Sequence, residues 1–143
     1  MEVEIKIQDC PKPHVVIYTH EITEEVKRVA DYARENSDTL IGTSDNKSYV
    51  LGIGDIIKAA VENDRTFLYT RNKRYACGKR LYEVKQILGR TFVQISKSVI
   101  VKISECESVE TDFGGILLLH LKSGGKEYVS RHYVSEFKKS IGM

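Results

Sequence analysis

The 143-residue sequence predicts an α+β fold that is mostly β. Three observations carry this. Apolar and polar residues alternate with a period of two through most of the chain after residue 39. Turn signals at Asp45-Asn46, near Asn72-Lys73 and at Ser123-Gly124-Gly125 separate these runs at hairpin spacing. Helical periodicity is confined to short stretches.

The elements follow in chain order. Val3, Ile5 and Ile7 alternate with Glu4 and Lys6, which predicts a short strand. Pro11 and Pro13 interrupt it, because proline removes a ladder donor and restricts the residue before it. "HVVIYT" (14–19) predicts a second strand. Thr23 or His20 then caps a helix over "EEVKRVADYAREN", with Val26, Val29, Ala30 and Ala33 on one face and Asn36-Ser37 as its stop. "TLIGTSDNKSYVLGI" (39–53) and "TFLYTRNKRYACG" (66–78) each predict a hairpin. "KRLYEVKQILG" (79–89) predicts a short helix lined by Leu81, Val84, Ile87 and Leu88, with Gly89 at its C-cap. "TFVQIS" and "VIVKI" (91–103) continue the alternation, a stretch "CESVET" (106–111) follows, and then a hairpin centred on Ser123-Gly124-Gly125. "VSEFKKSIG" predicts a closing helix, with Phe137 and Ile141 four apart. The chain thus divides into a β-β-α annex over residues 1–40 and a strand-rich domain over 41–143.

Composition narrows the function classes. With 41% hydrophobic and 29% charged residues, the chain buries a core and is not disordered. No apolar run reaches the roughly 18 residues that span a bilayer, and the N-terminus has no signal-peptide core, so a cytoplasmic protein without membrane insertion is expected. Cys10, Cys77 and Cys106 are widely spaced and odd in number, which points to free thiols. The net charge of +2 conceals an asymmetry. Residues 1–64 hold 7 Lys+Arg against 13 Asp+Glu, whereas residues 65–102 hold 10 against Glu83 alone. A polyanion partner for the middle of the chain is one explanation; a lysine-rich solvated face is the other.

The segment "FVQISKSVIVKI" (92–103) sharpens the question. Every second residue is apolar except Lys97, which stands between Ser96 and Ser98. A bare ammonium costs several kcal/mol to bury. The strand is therefore expected to break at Ser96-Lys97-Ser98, turning Lys97 outward beside two hydroxyls. Such a tip offers donors to phosphates and base edges; an ordinary surface bulge would look the same in sequence.

The stretch "GRTFVQISKSVIVKISECESVE" followed by "GILLLHLKSGGKEYVSRHYVSEFKKSIG" resembles the LytTR family of bacterial DNA-binding domains. The resemblance rests on Phe92, Ser96-Lys97-Ser98, "VIVK" (99–102), Gly125, "VSRHY" (129–133), Lys138 and Lys139. "GDII" (54–57), "RTFLYT" (65–70) and "LYEV" (81–84) add weaker matches upstream. It departs at Lys102, where the family favours asparagine, and at Lys58-Ala59-Ala60. The resemblance implies stacked antiparallel sheets and a transcriptional regulator of the response-regulator output type. This one would be a stand-alone form without a receiver domain, binding double-stranded DNA as a homodimer. It implies DNA-reading loops near 62–66, 94–98 and 130–133 that enter successive major grooves. In those loops Arg65 suits a guanine O6/N7 fork and Lys97 a point donation, and Arg131 and His132 share further contacts in an order that sequence leaves open. Ser96, Ser98 and Ser130 suit phosphate oxygens, and Arg71, Lys73 and Arg74 the phosphate backbone alone. The annex is open to a partner protein. A protein- or RNA-interaction module on the same fold is the alternative.

No constellation of catalytic residues is evident, so a non-enzyme without cofactor is expected. Cys10, His14 and His20 match no metal spacing, and "SGGK" (123–126) lacks the remainder of a phosphate loop.

Overall fold

The computed structural model describes residues 1–10, 14–35 and 39–143, in two units, Met1–Arg34 and Glu35–Met143. In the first, helix α1 (Glu24–Glu35) starts at Thr23. The Thr23 hydroxyl accepts from the Val26 N–H at 3.3 Å, and the Thr23 carbonyl from Lys27 at 3.0 Å. Glu24 and Glu25 in the first turn and Arg34 in the last complement the helix dipole. The strands expected at 3–7 and 14–19 do not form, and neither segment has a ladder partner among the described residues. Alternation specifies which side chains share a face; it supplies no second strand. Pro11, Pro13 and the Asn36-Ser37 helix stop lie outside the described residues.

The second unit begins with β1 (Thr39–Ser44) and β2 (Lys47–Gly52), joined at Asp45-Asn46. Both turn residues have positive φ, 52° and 62°, which matches the right-handed twist of a hairpin. β3 (Lys58–Glu62) and β4 (Arg65–Tyr69) repeat this device at Asn63-Asp64, with φ of 51° and 62°. β5 (Arg74–Cys77) returns beside β4 and leads into α2 (Leu81–Leu88), which ends on Gly89 at φ 74°. β6 (Phe92–Ser96) and β7 (Val99–Lys102) complete a seven-stranded antiparallel sheet in the order β2-β1-β5-β4-β3-β7-β6. β8 (Cys106–Thr111), β9 (Leu117–Leu121) and β10 (Lys126–Val129) form a second, three-stranded sheet, and α3 (Arg131–Ser140) closes the chain.

Two cores hold the layers. On one face of the large sheet, Leu81, Val84 and Leu88 of α2 pack on Leu40, Ile56, Leu68, Phe92 and Ile100. On the other face, Val93, Ile95 and Val101 meet Leu117, Leu119, Leu121 and Val129 of the small sheet and Phe137 of α3. The strand period of two explains this division: Ile100 serves one core and its neighbour Val101 the other. Each fully buried aliphatic side chain contributes about 1.5–3 kcal/mol. No helix among the described residues is long and apolar enough to cross a membrane.

Candidate nucleic-acid interface

The strand does break at Ser96-Lys97-Ser98. β6 ends at Ser96, a register shift lies between Gln94 and Ser96, and β7 begins at Val99. The serines hold the turn: the Ser98 N–H donates to Ser96 Oγ at 3.2 Å, and the two hydroxyl oxygens lie 3.4 Å apart. Gln94 Nε2 donates to the Ser96 carbonyl at 2.9 Å. Lys97 is exposed at the tip and Ser96 and Ser98 are half-buried, so the apolar stripe is never asked to bury an ammonium.

Two backbone hydrogen bonds bring the other segments to this tip. The Val61 N–H donates to the Ser98 carbonyl at 2.8 Å, which sets the Asn63-Asp64 turn and Arg65 beside it. The Ser130 N–H donates to the Ile95 carbonyl at 2.8 Å, which brings Ser130, Arg131 and His132 to the same end of the sheet. All three are exposed, as is Arg65. The segment at 130–133 is not a loop, however. Ser130 is the N-cap of α3, and Arg131 and His132 form its first turn. Tyr133, Val134 and Phe137 face the core, which leaves Arg131 and His132 on the outer side.

The hairpin cations behave differently. Arg71 Nη2 lies 2.5 Å from Oε1 of the buried Glu105, and Arg74 Nη1 lies 2.6 Å from Glu62 Oε2. Arg74 also sits over the Phe67 ring at 4.3 Å. Lys73 Nζ stands 4.9 Å from the Tyr49 ring centroid and 5.1 Å from that of Tyr75. Glu62 also accepts a short hydrogen bond from the Tyr69 hydroxyl. Burial first, and that contact second, raise the Tyr69 pKa above its ordinary value, while Arg74 opposes the shift. Lys102 reaches the Gly54 carbonyl at 2.9 Å. By contrast, Arg65, Lys97 and Arg131 form no ion pair among the described residues.

β3 has no clear signature of its own in the sequence, and next to it lies an open depression of about 620 Å³. Arg65, Thr66, Cys77, Lys79 and Arg80 line this depression. The signal for β3 is the Asn63-Asp64 pair, which suits a two-residue turn with positive φ at both positions.

Comparison with known proteins supplies the family. The LytTr DNA-binding domain family matches residues 46–142. Two uncharacterized HTH-type transcriptional regulators of Staphylococcus aureus are similar over 132 residues, covering 91% of this chain and 90% of theirs. The protein from strain bovine RF122 / ET3-1 is 27% identical and that from strain NCTC 8325 / PS 47 is 26% identical. A LytTr DNA-binding domain from Bacillus cereus superposes with a TM-score of 0.69 at 18% identity, covering 73% of this chain and 97% of that one; this is a likeness of fold. With stacked antiparallel sheets and a family match across most of its length, the chain belongs to the LytTr DNA-binding domain family.

Proposed function

We propose that the protein is a transcriptional regulator that recognises a specific double-stranded DNA sequence and acts as a dimer on paired half-sites. It is not an enzyme, needs no cofactor and works in the cytoplasm. One observation carries the proposal: three cationic segments converge at one end of a rigid sheet, and their charges are not spent on carboxylates of the same chain. In this reading Arg65 and Lys97 meet base edges in the major groove, and guanine O6 and N7 are the acceptors that suit a guanidinium fork. Arg131 and His132 contact bases or phosphates from the first turn of α3. Ser96, Ser98 and Ser130 fix register on phosphate oxygens. Lys73, which meets rings and no carboxylate, remains a candidate for the phosphate backbone.

Duplex is favoured over single strand by the aromatic residues. Stacking platforms must be exposed. Tyr75 is buried, and Tyr69 lies under the Lys58 ammonium with its hydroxyl on Glu62, which leaves Tyr82 among the three tyrosines near the basic strip.

Selection of bound duplexes from a random library, followed by competition at fixed salt, tests the proposal. A single preferred motif is expected. Arg65→Ala or Lys97→Ala should flatten that preference by roughly 1–3 kcal/mol per lost base contact. Equal affinity for every duplex would overturn it.

A further inference from the structure

We infer that Lys79 and Arg80, on the turn between β5 and α2, form a second anion site that grips the phosphodiester backbone next to the groove read by Arg65. The inference rests on the DNA-binding proposal above and adds a contact surface to it.

Topology places the pair. Thr66 of β4 is opposite Cys77 of β5, so β5 runs out at the end of the sheet where the Asn63-Asp64 turn stands. Lys79 and Arg80 follow directly, both exposed, and line the same depression as Arg65. Neither forms an ion pair among the described residues. Asp64 also borders the depression, so three cations face one carboxylate there. Glu83 Oε2 accepts the Arg80 backbone N–H at 2.8 Å. That bond fixes the turn while leaving the Arg80 guanidinium available.

Spacing decides the role. Neighbouring strands lie about 4.8 Å apart. In the observed strand order, the Asn63-Asp64 and Lys97-Ser98 turns are two strand spacings apart, roughly 10 Å. A major groove is about 12 Å wide, so a tip centred in it lies about 6 Å from its wall. β5 lies one and a half spacings, roughly 7 Å, beyond the Asn63-Asp64 turn on the side away from Lys97, which puts Lys79 and Arg80 at the wall of the groove that Arg65 enters. That wall is where the phosphate chain runs. A charge there adds affinity without sequence information.

The test compares the wild-type protein with Lys79→Ala/Arg80→Ala by fluorescence anisotropy on the selected duplex and a scrambled one, across a salt series. The double substitution should weaken both duplexes by the same factor. It should reduce the log–log salt slope by about 1.8 per bound copy, from two lost phosphate contacts. Lys79→Arg/Arg80→Lys retains both charges and should keep the wild-type slope, which separates charge from folding. Lys122→Ala/Lys126→Ala removes two cations at the opposite end of β10, one strand length from Ser130, and should leave the slope unchanged. Wild-type slope and affinity in Lys79→Ala/Arg80→Ala would overturn the inference. So would an altered sequence preference in that variant, or an equal loss of slope in the distant control. Failure of the wild-type protein to bind either duplex would instead overturn the DNA-binding proposal itself.

Discussion

Arg71 separates two accounts of the basic strip. Sequence assigns it to the phosphate backbone, whereas the structure ties it to Glu105, whose side chain is 5% exposed. Glu105 Oε2 is buried and has no hydrogen-bond partner among the described residues, so Arg71 is the group that compensates this carboxylate. Breaking a buried pair by deleting one partner typically costs about 3–5 kcal/mol, because the remaining charge is stranded. Arg71 itself is 64% exposed, and solvent screens its share. The expected loss for Arg71→Ala is therefore about 1–3 kcal/mol, well below the buried-pair range at its lower end.

Urea unfolding followed by circular dichroism measures that loss. A second substitution makes the assay specific. Glu105→Leu in the Arg71→Ala background removes the stranded carboxylate and should recover most of the stability, giving a coupling energy above about 1 kcal/mol in the double-mutant cycle. Duplex affinity of the folded Arg71→Ala protein should stay within about twofold of wild type, an energy of roughly 0.4 kcal/mol. The reasoning is refuted if Arg71→Ala leaves the urea midpoint in place while duplex binding falls.

Two further outcomes follow from the same geometry. Phe137 is fully buried between α3 and the sheets, so Phe137→Ala should cost about 3–5 kcal/mol in urea unfolding and loosen the helix that carries Arg131 and His132. Cys106 is pushed up to about 11 from the ordinary 9.0, chiefly by burial and then by Glu105, with Lys122 opposing. Because the folded value is raised, the neutral thiol is the form that folding favours. Cys106 should therefore be labelled by a thiol reagent at pH 8 roughly 100-fold more slowly than an ordinary thiol, accelerating toward pH 11. Mass spectrometry of the labelled peptides checks this. The stability contribution is present below about pH 9 and is lost as pH rises toward 11.

Most of the large domain was legible because its signals are local. Asp45-Asn46 and Ser123-Gly124-Gly125 mark turns by the backbone freedom of their residues, and Leu81, Val84 and Leu88 mark α2 by helical spacing. The break at Lys97 was legible because a charge on an apolar stripe has few tolerable solutions. β3 is not legible in sequence because "KAAVE" is short and alanine-rich, with weak β propensity of its own. It is a strand through its neighbours, pairing with β4 on one side and β7 on the other. The N-terminal segments differ for the opposite reason: their β propensity is good, and no described segment pairs with them. Arg131 and His132 looked like loop residues because helical spacing becomes visible only from Val134 onward, after the cap.

The charge count misled in an instructive way. Ten cations against Glu83 over residues 65–102 suggest a uniformly basic surface. Two of those cations are neutralised by Glu62 and Glu105, each three residues outside the window. A third, Lys102, is held by a backbone carbonyl. Sequence distance hides such pairs, since β4 and β5 carry Arg71 and Arg74 back toward Glu62 and across to Glu105. The cations left without carboxylates are therefore the informative ones. Of these, Arg65, Lys79, Arg80 and Lys97 lie in turns or at a strand start at one end of the large sheet, and Arg131 joins them through the Ser130–Ile95 hydrogen bond. A polyanion surface needs that arrangement more than it needs a high net charge. Intramolecular pairing turns the strip from a band into a row of tips, and a row can meet a groove and its flanking phosphates in register.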